Sequence, residues 1–403
     1  MRPTLRYRLL ITTLALALCC TSALCQARQG NGKRLPMLIG TYTAKESQGI
    51  YRCYFATSTG ELSQPQLIAE VDNPSFMALS DDKRFLYAVS EGGNNQNSAL
   101  NAFRYNAESG ELELINRQPT FGASPCYVAL ADGKALTANY TGGSFSIMGI
   151  NTDGSLAAAT AHPVKEEGRR SHVHGIFPHT KSESIYITDL GCDLLLQIDH
   201  TGNIISRTSL KRGSGPRHLT FSKRGDKAYV LNELSGTVCL FDISGEKPRL
   251  LQEIASDSVG GGGSADIHLS PDGKYLYASN RLKEDGISIF SVDKRSGLLE
   301  KIGYINTGIH PRNFTLSPDG KFIIVAERDS NRIEVFSRDK CTGLLTATPY
   351  KAELSMPVFV MWGKEELHLE KKYKNPEAAN SKSAASFTKH TLILKYNPSI
   401  ILF

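Results

Sequence analysis

The sequence predicts an all-β protein, a seven-bladed β-propeller, from two repeated markers and the strand pattern between them. The first marker is Leu-Ser-Pro-Asp-Gly-Lys at residues 269–274 and 316–321, and it extends into a strand; these and looser copies end at residues 87, 137, 186, 229, 277 and 324. The second is a polar turn close to Ser/Thr/Asp-Gly-x-Leu, with glycines at residues 60, 110, 154, 202, 245, 297 and 343. Seven turns spaced by about 40 to 50 residues indicate seven blades.

The residue pattern of each unit predicts four short strands. In the last unit, a strand over 312–316 meets a Pro-Asp-Gly turn, strands follow over 321–326 and 332–336, and a fourth follows a Thr-Gly turn. No long stretch between the two ends of the chain shows convincing periodicity of an amphipathic helix. A ring of blades also accommodates 403 residues, more than one simple core usually holds, because a propeller grows by adding blade interfaces.

The two ends of the repeat complement each other. The first unit begins at residues 38–43, which align with a second strand, so it lacks a first strand. The segment 356–361 is a surplus strand after the last unit. We predict a propeller over residues 36–362 that closes by strand exchange, with the C-terminal segment completing the N-terminal blade and covering exposed sheet edges.

Residues 1–25 have the pattern of a secretory signal peptide, with arginines before an apolar run at 9–18 and small residues after it. The apolar run is too short to span a bilayer well, so no stable membrane span is expected. The sequence therefore predicts an exported, periplasmic protein. A lipid anchor on Cys19 or Cys25 fits less well, because a leucine precedes each cysteine.

The formal charge of +6 belongs to the ends of the chain. Residues 1–25 carry three arginines and residues 361–403 carry seven lysines against four glutamates, which leaves the 335 residues between them neutral. A broad basic face for nucleic acid is therefore not expected. Residues 363–403 are predicted to form a poorly ordered C-terminal tail, since Lys, Glu, Asn, Ser and Ala dominate most of the segment.

The five cysteines beyond residue 25 are odd in number, far apart and without a C-x-x-C pair. We expect them to be buried small hydrophobic residues; a disulfide framework or a zinc site is not expected. Asp266-x-His268 is too small a fragment to indicate a metal site, so no metal and no cofactor are expected.

Polar side chains converge on the central channel, because the first strand of every blade lines it. Aligned on the first marker, His174, His218, Asp266 and Asn313 share one column, and His268 lies two positions further along the same face. Loops that leave the second strands should open at the same end of the channel. The candidate site residues are, from the first strands and the loop before them, Arg169, His172, His174, Arg217, His218, Asp266, His268 and Arg312, and, from the second-strand ends, Asp189, Glu233 and Arg281.

These residue types suit hydrolysis or cyclisation of an anionic small molecule. Glu233 and His174 are candidates for a general base that activates water. Arg217 and Arg281 are suited to hold an anionic substrate or to stabilise an oxyanion. The G-x-S-x-G, H-E-x-x-H, G-x-x-x-x-G-K-[ST] and G-x-G-x-x-G motifs are absent from the sequence. The alternative interpretation is a wet channel whose polar residues are simply solvated or paired.

Seven short motifs occur in order: His172-Val-His174, Thr188-Asp-Leu-Gly191, Gly215-Pro-Arg-His218, Asn232-Glu233, Ala265-Asp-Ile-His268, Asn280-Arg281 and Pro311-Arg-Asn-Phe314. As an ordered set they resemble the propeller lactonase family, represented by bacterial 6-phosphogluconolactonases of propeller type and related to fungal carboxy-muconate cyclases. The resemblance implies a seven-bladed propeller that hydrolyses the ring ester of 6-phosphogluconolactone without a metal. From the cyclase relatives, it implies a catalytic group of His174, Glu233, Arg217 and Arg281.

The functional hypothesis is therefore a monomeric lactonase that acts on a small anionic sugar lactone. Its substrate-binding residues are predicted to be His172, His218, Asp266, His268, Arg312, Arg169 and Asp189. Two alternatives remain: a non-catalytic propeller that binds sugars or proteins in the cell envelope, and a cycloisomerase of the muconate type. The cycloisomerase would use the same residues in the opposite chemical direction.

Overall fold

The structure, a computed structural model, describes residues 33–363 except residues 108 and 180. Within them, 28 strands form seven four-stranded antiparallel sheets arranged as a seven-bladed β-propeller, so the predicted fold class is confirmed. The predicted signal peptide and, apart from Gly363, the predicted C-terminal tail lie outside the described residues. None of the described residues belongs to a helix with the length and hydropathy of a membrane span.

The strands follow one another blade by blade along the chain. Blades 1 to 4 contain β1 (Arg34–Thr41), β2 (Gly49–Ala56) and β3 (Gln66–Glu70); β4 (Met77–Leu79), β5 (Phe85–Ser90), β6 (Ala99–Tyr105) and β7 (Leu112–Pro119); β8 (Pro125–Ala131), β9 (Lys134–Asn139), β10 (Ser144–Gly149) and β11 (Thr160–Pro163); and β12 (Val173–Pro178), β13 (Ile185–Asp189), β14 (Leu194–Ile198) and β15 (Ile204–Ser209). Blades 5 to 7 contain β16 (Pro216–Phe221), β17 (Lys227–Asn232), β18 (Thr237–Asp242) and β19 (Arg249–Ala255); β20 (Ile267–Leu269), β21 (Tyr275–Asn280), β22 (Gly286–Val292) and β23 (Leu299–Asn306); and β24 (Pro311–Leu316), β25 (Phe322–Glu327), β26 (Arg332–Arg338) and β27 (Leu345–Glu353), after which β28 (Pro357–Trp362) returns to blade 1.

The core is divided among the blade interfaces. Seven apolar clusters are found among the described residues, and each combines side chains of two neighbouring blades. Between blades 6 and 7, for example, Tyr277, Ile323 and Val325 are fully buried. Strands β5, β21 and β25 are buried along their whole length because both faces are covered, whereas the outermost strand β23 consists mainly of exposed and partly buried residues.

The two sequence markers bond to each other across the blade interfaces. The Tyr277 hydroxyl at the end of one copy of the first marker donates to the carbonyl of Gly343, in the turn of the next blade, at 2.7 Å. Tyr87 and Tyr229 donate in the same way to the turn glycines at 154 and 297. The repeat is therefore visible in the sequence because each blade must present the same turn to its neighbour.

Strand β28 closes the ring. It occupies the innermost position of blade 1, in the order β28-β1-β2-β3. It pairs antiparallel with β1, with Met37 opposite Trp362 and Ile39 opposite Val360. The predicted strand exchange is confirmed, and it gives the first blade the four strands that the other six blades obtain from consecutive sequence.

The cysteine prediction is correct for four of the five residues. Cys53, Cys126, Cys192 and Cys239 are buried with free thiols. Cys341 is exposed, so the prediction of burial is wrong for this residue. It lies in the polar turn between β26 and β27, where the repeat exposes the chain to solvent.

Truncating a buried side chain of the closing strand should destabilise the whole ring. Phe359 is 6% exposed, and its ring lies 4.2 Å from that of Phe76 in blade 2. We expect Phe359→Ala to lower the free energy of unfolding by about 3–5 kcal/mol, measured by urea denaturation. Phe121→Ala is the control, since Phe121 is 57% exposed, and it should change stability by less than about 0.5 kcal/mol. Equal losses in the two variants would contradict this account of closure.

Candidate active site

A β-bulge near the start of the innermost strand supplies two arginines and a histidine to the site. In β16, Pro216 pairs with Asn232 and His218 pairs with Leu231, which leaves Arg217 without a partner in the ladder. The same register shift leaves His174 in β12 and Arg312 in β24 without a partner in the ladder. A bulge adds one residue and re-aims its side chain, so these three residues share one structural position near the mouth of the channel.

The strand register corrects the sequence alignment in blade 4. Sequence analysis placed His174 in the same column as His218, but His174 is the structural equivalent of Arg217, and the equivalent of His218 is Gly175. The first marker is degenerate in this blade, where Phe-Pro-His replaces Leu-Ser, so the alignment slipped by one residue. A slip of one residue along a strand exchanges the two faces of the sheet.

A second row comes from the residue that directly follows the second strand of each blade. Because the second strand is antiparallel to the first, its end lies beside the start of the innermost strand. This position is occupied in blade order by Tyr42, Glu91, Tyr140, Leu190, Glu233, Arg281 and Arg328. Sequence reasoning selected Glu233 and Arg281 as site residues and counted Glu91 in the same row without giving it a role, but it missed Tyr42. Extending the row to blade 1 would have found Tyr42.

Glu233 lies between two buried arginines. Its Oε2 is 2.9 Å from Nε of Arg217, and its Oε1 is 3.0 Å from Nη2 of Arg281. The Arg217 contact is an ion pair without an aligned hydrogen bond. The side chains of the two arginines are 2% and 5% exposed, whereas that of Glu233 is 24% exposed. The carboxylate is therefore the part of this triad that solvent can reach.

The arginines keep Glu233 ionised. Burial alone would raise its pKa, but the charges of Arg281 and then Arg217 outweigh burial and hold the pKa of Glu233 below its usual value. Burial lowers the pKa of Arg281, and the carboxylate of Glu233 opposes that change. Glu233 and each arginine thus favour one another's charged forms, whereas the charge of Arg217 disfavours that of Arg281.

A second ion-pair group joins Arg312 of the bulge to Glu91 and Tyr42 of the second row. Nη2 of Arg312 is 3.8 Å from Oε2 of Glu91, and its guanidinium lies 5.2 Å from the centre of the Tyr42 ring. The Tyr42 hydroxyl donates to the same Glu91 oxygen at 3.2 Å. With Arg217 and Arg281, three guanidinium groups therefore face two carboxylates. The excess of one positive charge favours an anionic ligand.

His174 is buried and uncharged. Its Nδ1 is buried and has no hydrogen-bond partner among the described residues. Burial lowers the pKa of His174 well below its usual value, and the nearby charge of Arg217 lowers it further. Neighbouring His172 stacks on the Tyr140 ring at 4.6 Å and bonds through Nδ1 to the Tyr140 carbonyl at 3.0 Å. The neutral imidazole of His174 thus lies next to an aromatic pair.

Three of the predicted binding residues bond to one another inside the channel. His218 Nδ1 lies 2.8 Å from one oxygen of Asp266, and His268 Nε2 lies 2.9 Å from the other. His218 in turn lies 3.4 Å from Nη1 of Arg217, which connects this group to the ion pairs. Among the described residues, no cluster of three or more His, Cys, Asp or Glu side chains has the arrangement of a metal site.

Two other predicted binding residues are engaged in their own loop. Asp189 accepts hydrogen bonds from the Ser171 hydroxyl and from the backbone amides of His172 and Cys192. Arg169 donates to the carbonyl of Cys192 and pairs with Asp193. The structure therefore places both side chains where they hold the loop that carries His172, and not among the ion pairs at the mouth.

The glycine run at residues 260–263 connects Glu233 to Arg281. The amide of Gly263 donates to the carbonyl of Glu233 at 2.7 Å, and its carbonyl accepts from Nε of Arg281 at 2.8 Å. Gly263 has φ of +86°, and a Cβ there would lie 2.7 Å from the Arg281 carbonyl. Only glycine fits this position without moving one of the two charged residues.

The geometry can be compared with known proteins. The family described as Lactonase, 7-bladed beta-propeller matches residues 36–362. The chain belongs to this lactonase family. It is 36% identical over 338 residues to a 6-phosphogluconolactonase of Formosa agariphila, an alignment that covers 78% of this chain and 95% of that protein.

Two solved structures of relatives resemble the propeller closely. A candidate 6-phosphogluconolactonase of Bacteroides uniformis is 45% identical, with a TM-score of 0.78 over 82% of this chain and 99% of that one. A periplasmic gluconolactonase of Pseudomonas aeruginosa is 28% identical, with a TM-score of 0.79 over 83% of this chain and 100% of that one.

A side chain at Gly263 should impair the site more than the fold. We expect Gly263→Ala to lower kcat/KM for lactone hydrolysis by roughly 100-fold, because a shift of about 1 Å in a reacting group has that order of effect. Gly260→Ala is a matched control. Gly260 also has a positive φ, +64°, but a Cβ there would meet no atom within 4 Å. Similar losses of activity in both variants would show that backbone strain alone, and not the position of Glu233 and Arg281, explains the effect.

Proposed function

We propose that the protein is a lactonase that hydrolyses the ring ester of a sugar lactone of the 6-phosphogluconolactone type. The observation that carries this proposal is a reachable, ionised Glu233 clamped between buried Arg217 and Arg281. The excess positive charge at the mouth suits an anionic substrate. Family membership and the 6-phosphogluconolactonase relative support the same activity.

The reaction needs a base and a site for developing negative charge. Water adds its oxygen to the lactone carbonyl carbon while the base accepts its proton. The ring C–O bond then breaks, and the ring oxygen takes up a proton and leaves as a hydroxyl, which yields the aldonic acid. Charge on the carbonyl oxygen in the transition state would be stabilised by a guanidinium in a low-dielectric site.

Glu233 is the leading candidate for the base. It is ionised at neutral pH and is the most exposed member of its triad. His174 is the second candidate, because its imidazole is neutral and its Nδ1 has no partner among the described residues. Arg217 fits the oxyanion role, since its guanidinium is buried and lies beside the carboxylate of Glu233.

We also propose that the enzyme is exported to the periplasm and acts there as a monomer without nucleic acid. The signal-peptide pattern of residues 1–25 supports export, and the likeness to a periplasmic gluconolactonase agrees with it. The closing strand β28 belongs to the same chain, so a single copy completes the ring. An exported enzyme could meet gluconolactone without its 6-phosphate, so both forms of the substrate are relevant.

Removing the charge of Glu233 should abolish most of the activity. We expect Glu233→Gln to lower kcat for gluconolactone, assayed with and without the 6-phosphate, by roughly 10²–10⁴-fold, the usual contribution of a general base. Glu253→Gln is the control, because Glu253 lies on β19, the outer strand of the same blade. Undiminished hydrolysis by Glu233→Gln would remove Glu233 from this role. No hydrolysis of either lactone by the unmodified enzyme would favour a non-catalytic binding propeller.

The pH profile should show no acid limb near the usual histidine pKa. The pKa of Glu233 is held below its usual 4.5 and that of His174 lies well below 6.5, so either base stays unprotonated as the pH falls through 6.5. We therefore expect log kcat/KM to stay level from about pH 8 to below about pH 6. Activity should fall only as the pH passes through the depressed pKa of the base.

A variant distinguishes the two bases in the same experiment. Arg281→Gln removes the strongest charge that lowers the pKa of Glu233, so the acid limb of its residual activity should move to higher pH. For His174, Arg281 is the weakest of the named neighbouring charges, and the limb should move little if His174 is the base. An acid limb near pH 6.5 in the unmodified enzyme would contradict the electrostatic description of the site.

A further inference from the structure

We propose that Asp266 and His218 form a positioning dyad that fixes the guanidinium of Arg217 against Glu233. Neither residue of the dyad is needed to touch the substrate, and both act through Arg217. The kinetic part of this proposal rests on the proposed lactone hydrolysis. Its structural part, the proton arrangement of His218, can be tested without any activity.

Asp266 is a fully engaged buried carboxylate. Its side chain is 4% exposed and accepts five hydrogen bonds among the described residues. One oxygen accepts from His218 Nδ1 at 2.8 Å and from the backbone amide of Ile267 at 3.0 Å. The other accepts from His268, from Asn313 and from the amide of Phe314. Because both oxygens already accept hydrogen bonds from the protein, Asp266 serves to position its neighbours and not to bind a ligand.

The hydrogen bond from His218 decides which of its nitrogens carries the proton. A carboxylate only accepts hydrogen bonds, so Nδ1 of His218 must be the protonated nitrogen. Burial, followed by the charge of Arg217, lowers the pKa of His218 to about 4, so the ring is neutral near pH 7. Nε2 is therefore an unprotonated acceptor, and it lies 3.4 Å from Nη1 of Arg217.

Blade 6 holds Arg217 through its backbone. The same Nη1 that faces His218 donates a hydrogen bond to the carbonyl of Ala265, the residue before Asp266. Arg217 itself projects from a bulge, where the sheet ladder does not hold its backbone. The carbonyl and the His218 acceptor therefore set the direction of the guanidinium, and this direction places Nε at 2.9 Å from Glu233. A carboxylate that fixes the tautomer of a histidine in this way orients the group on the other side of the ring.

Asp266 is also held by a residue toward the far end of the channel. His268 bonds to the second oxygen of Asp266 and keeps 39% of its side chain exposed. It lines a cavity of about 220 Å³ that is also bordered by Thr220, Thr315 and Met361, all late in their innermost strands. Because the innermost strands begin near Arg217, this cavity opens toward the opposite face of the ring. Asp266 thus lies between the two ends of the channel and is anchored from both.

Replacing Asp266 by asparagine should move the ring proton of His218 from Nδ1 to Nε2. The introduced side-chain amide can offer an N–H to Nδ1 of His218, which moves the ring proton to Nε2 and sets two donors, Nε2–H and Nη1–H, against each other. We expect Asp266→Asn to lower kcat by roughly 100-fold with a smaller change in KM, since the reacting groups are displaced rather than removed. The measurement is steady-state hydrolysis of both gluconolactone forms.

A double-mutant cycle tests whether Asp266 acts through His218. In His218→Gln the side-chain carbonyl can accept from Arg217 at the place of Nε2 without help from Asp266. We expect Asp266→Asn to lower kcat by less than about threefold in that background, because coupled residues are not additive. An equal fall in both backgrounds, or no fall in the unmodified enzyme, would overturn the proposal.

Asn313→Ala is the matched control for a loosened core. It removes the hydrogen bond that Asn313 donates to the second oxygen of Asp266 and the one that Asn313 accepts from the amide of Val360 in the closing strand. The contact between Asp266 and His218 stays in place. It should lower the melting temperature and leave kcat within about threefold, the opposite of the pattern expected for Asp266→Asn. A loss of kcat as large as that of Asp266→Asn would show that the effect is general loosening and would overturn the proposal.

Nitrogen NMR of the protein labelled with ¹⁵N-histidine gives the activity-independent test. The unmodified protein should show His218 protonated at Nδ1, with assignment by loss of the signal in His218→Gln, and Asp266→Asn should shift the proton to Nε2. A proton at Nε2 in the unmodified protein would overturn the dyad even if the enzyme is active. The expected tautomer in a protein that hydrolyses neither lactone would retain the dyad and reject the proposed function.

Discussion

One extra residue near the start of an innermost strand decides where the charged side chains of this ring point. The bulge at Arg217, His174 and Arg312 takes each residue out of the regular alternation of the strand, so it does not join the apolar clusters between blades. The row that follows the second strands then supplies the carboxylates at the same end of the channel. The site is thus a property of the repeat itself and needs no long inserted loop.

Burial makes this arrangement demanding as well as useful. An arginine that is 2% exposed is unfavourable unless a counter-charge and hydrogen bonds accompany it, and Glu233 serves two such arginines at once. The same low dielectric strengthens any interaction with charge that develops on a substrate. Glu233 therefore both stabilises the buried cations and remains the group that solvent reaches. The same carboxylate thus has a structural role and a chemical role.

The sequence predicted the ring because its markers are the contacts that hold neighbouring blades together, as Tyr277 and Gly343 illustrate. It also predicted Glu233, Arg281 and Arg217 as neighbours, since equivalent repeat positions must converge on one axis. It misplaced His174 by one residue because the first marker is degenerate in blade 4 and so could not fix the alignment of its innermost strand. It could not decide whether Asp189 binds substrate or pairs with a nearby backbone amide, because such local hydrogen bonds depend on the backbone path.

Ring closure and the site are physically continuous. The amide of Val360 in the closing strand donates to the side chain of Asn313, and that side chain donates to Asp266. Asp266 bonds to His218, which faces Arg217. A ring left open at blade 1 would therefore lose the first member of a hydrogen-bonded series that ends at the ion pairs. In a propeller, where each blade contacts only its neighbours, this series lets a strand from the end of the chain stabilise the core that supports a mouth built mainly from blades 5 to 7, while the direction of Arg217 itself depends on the contact with His218.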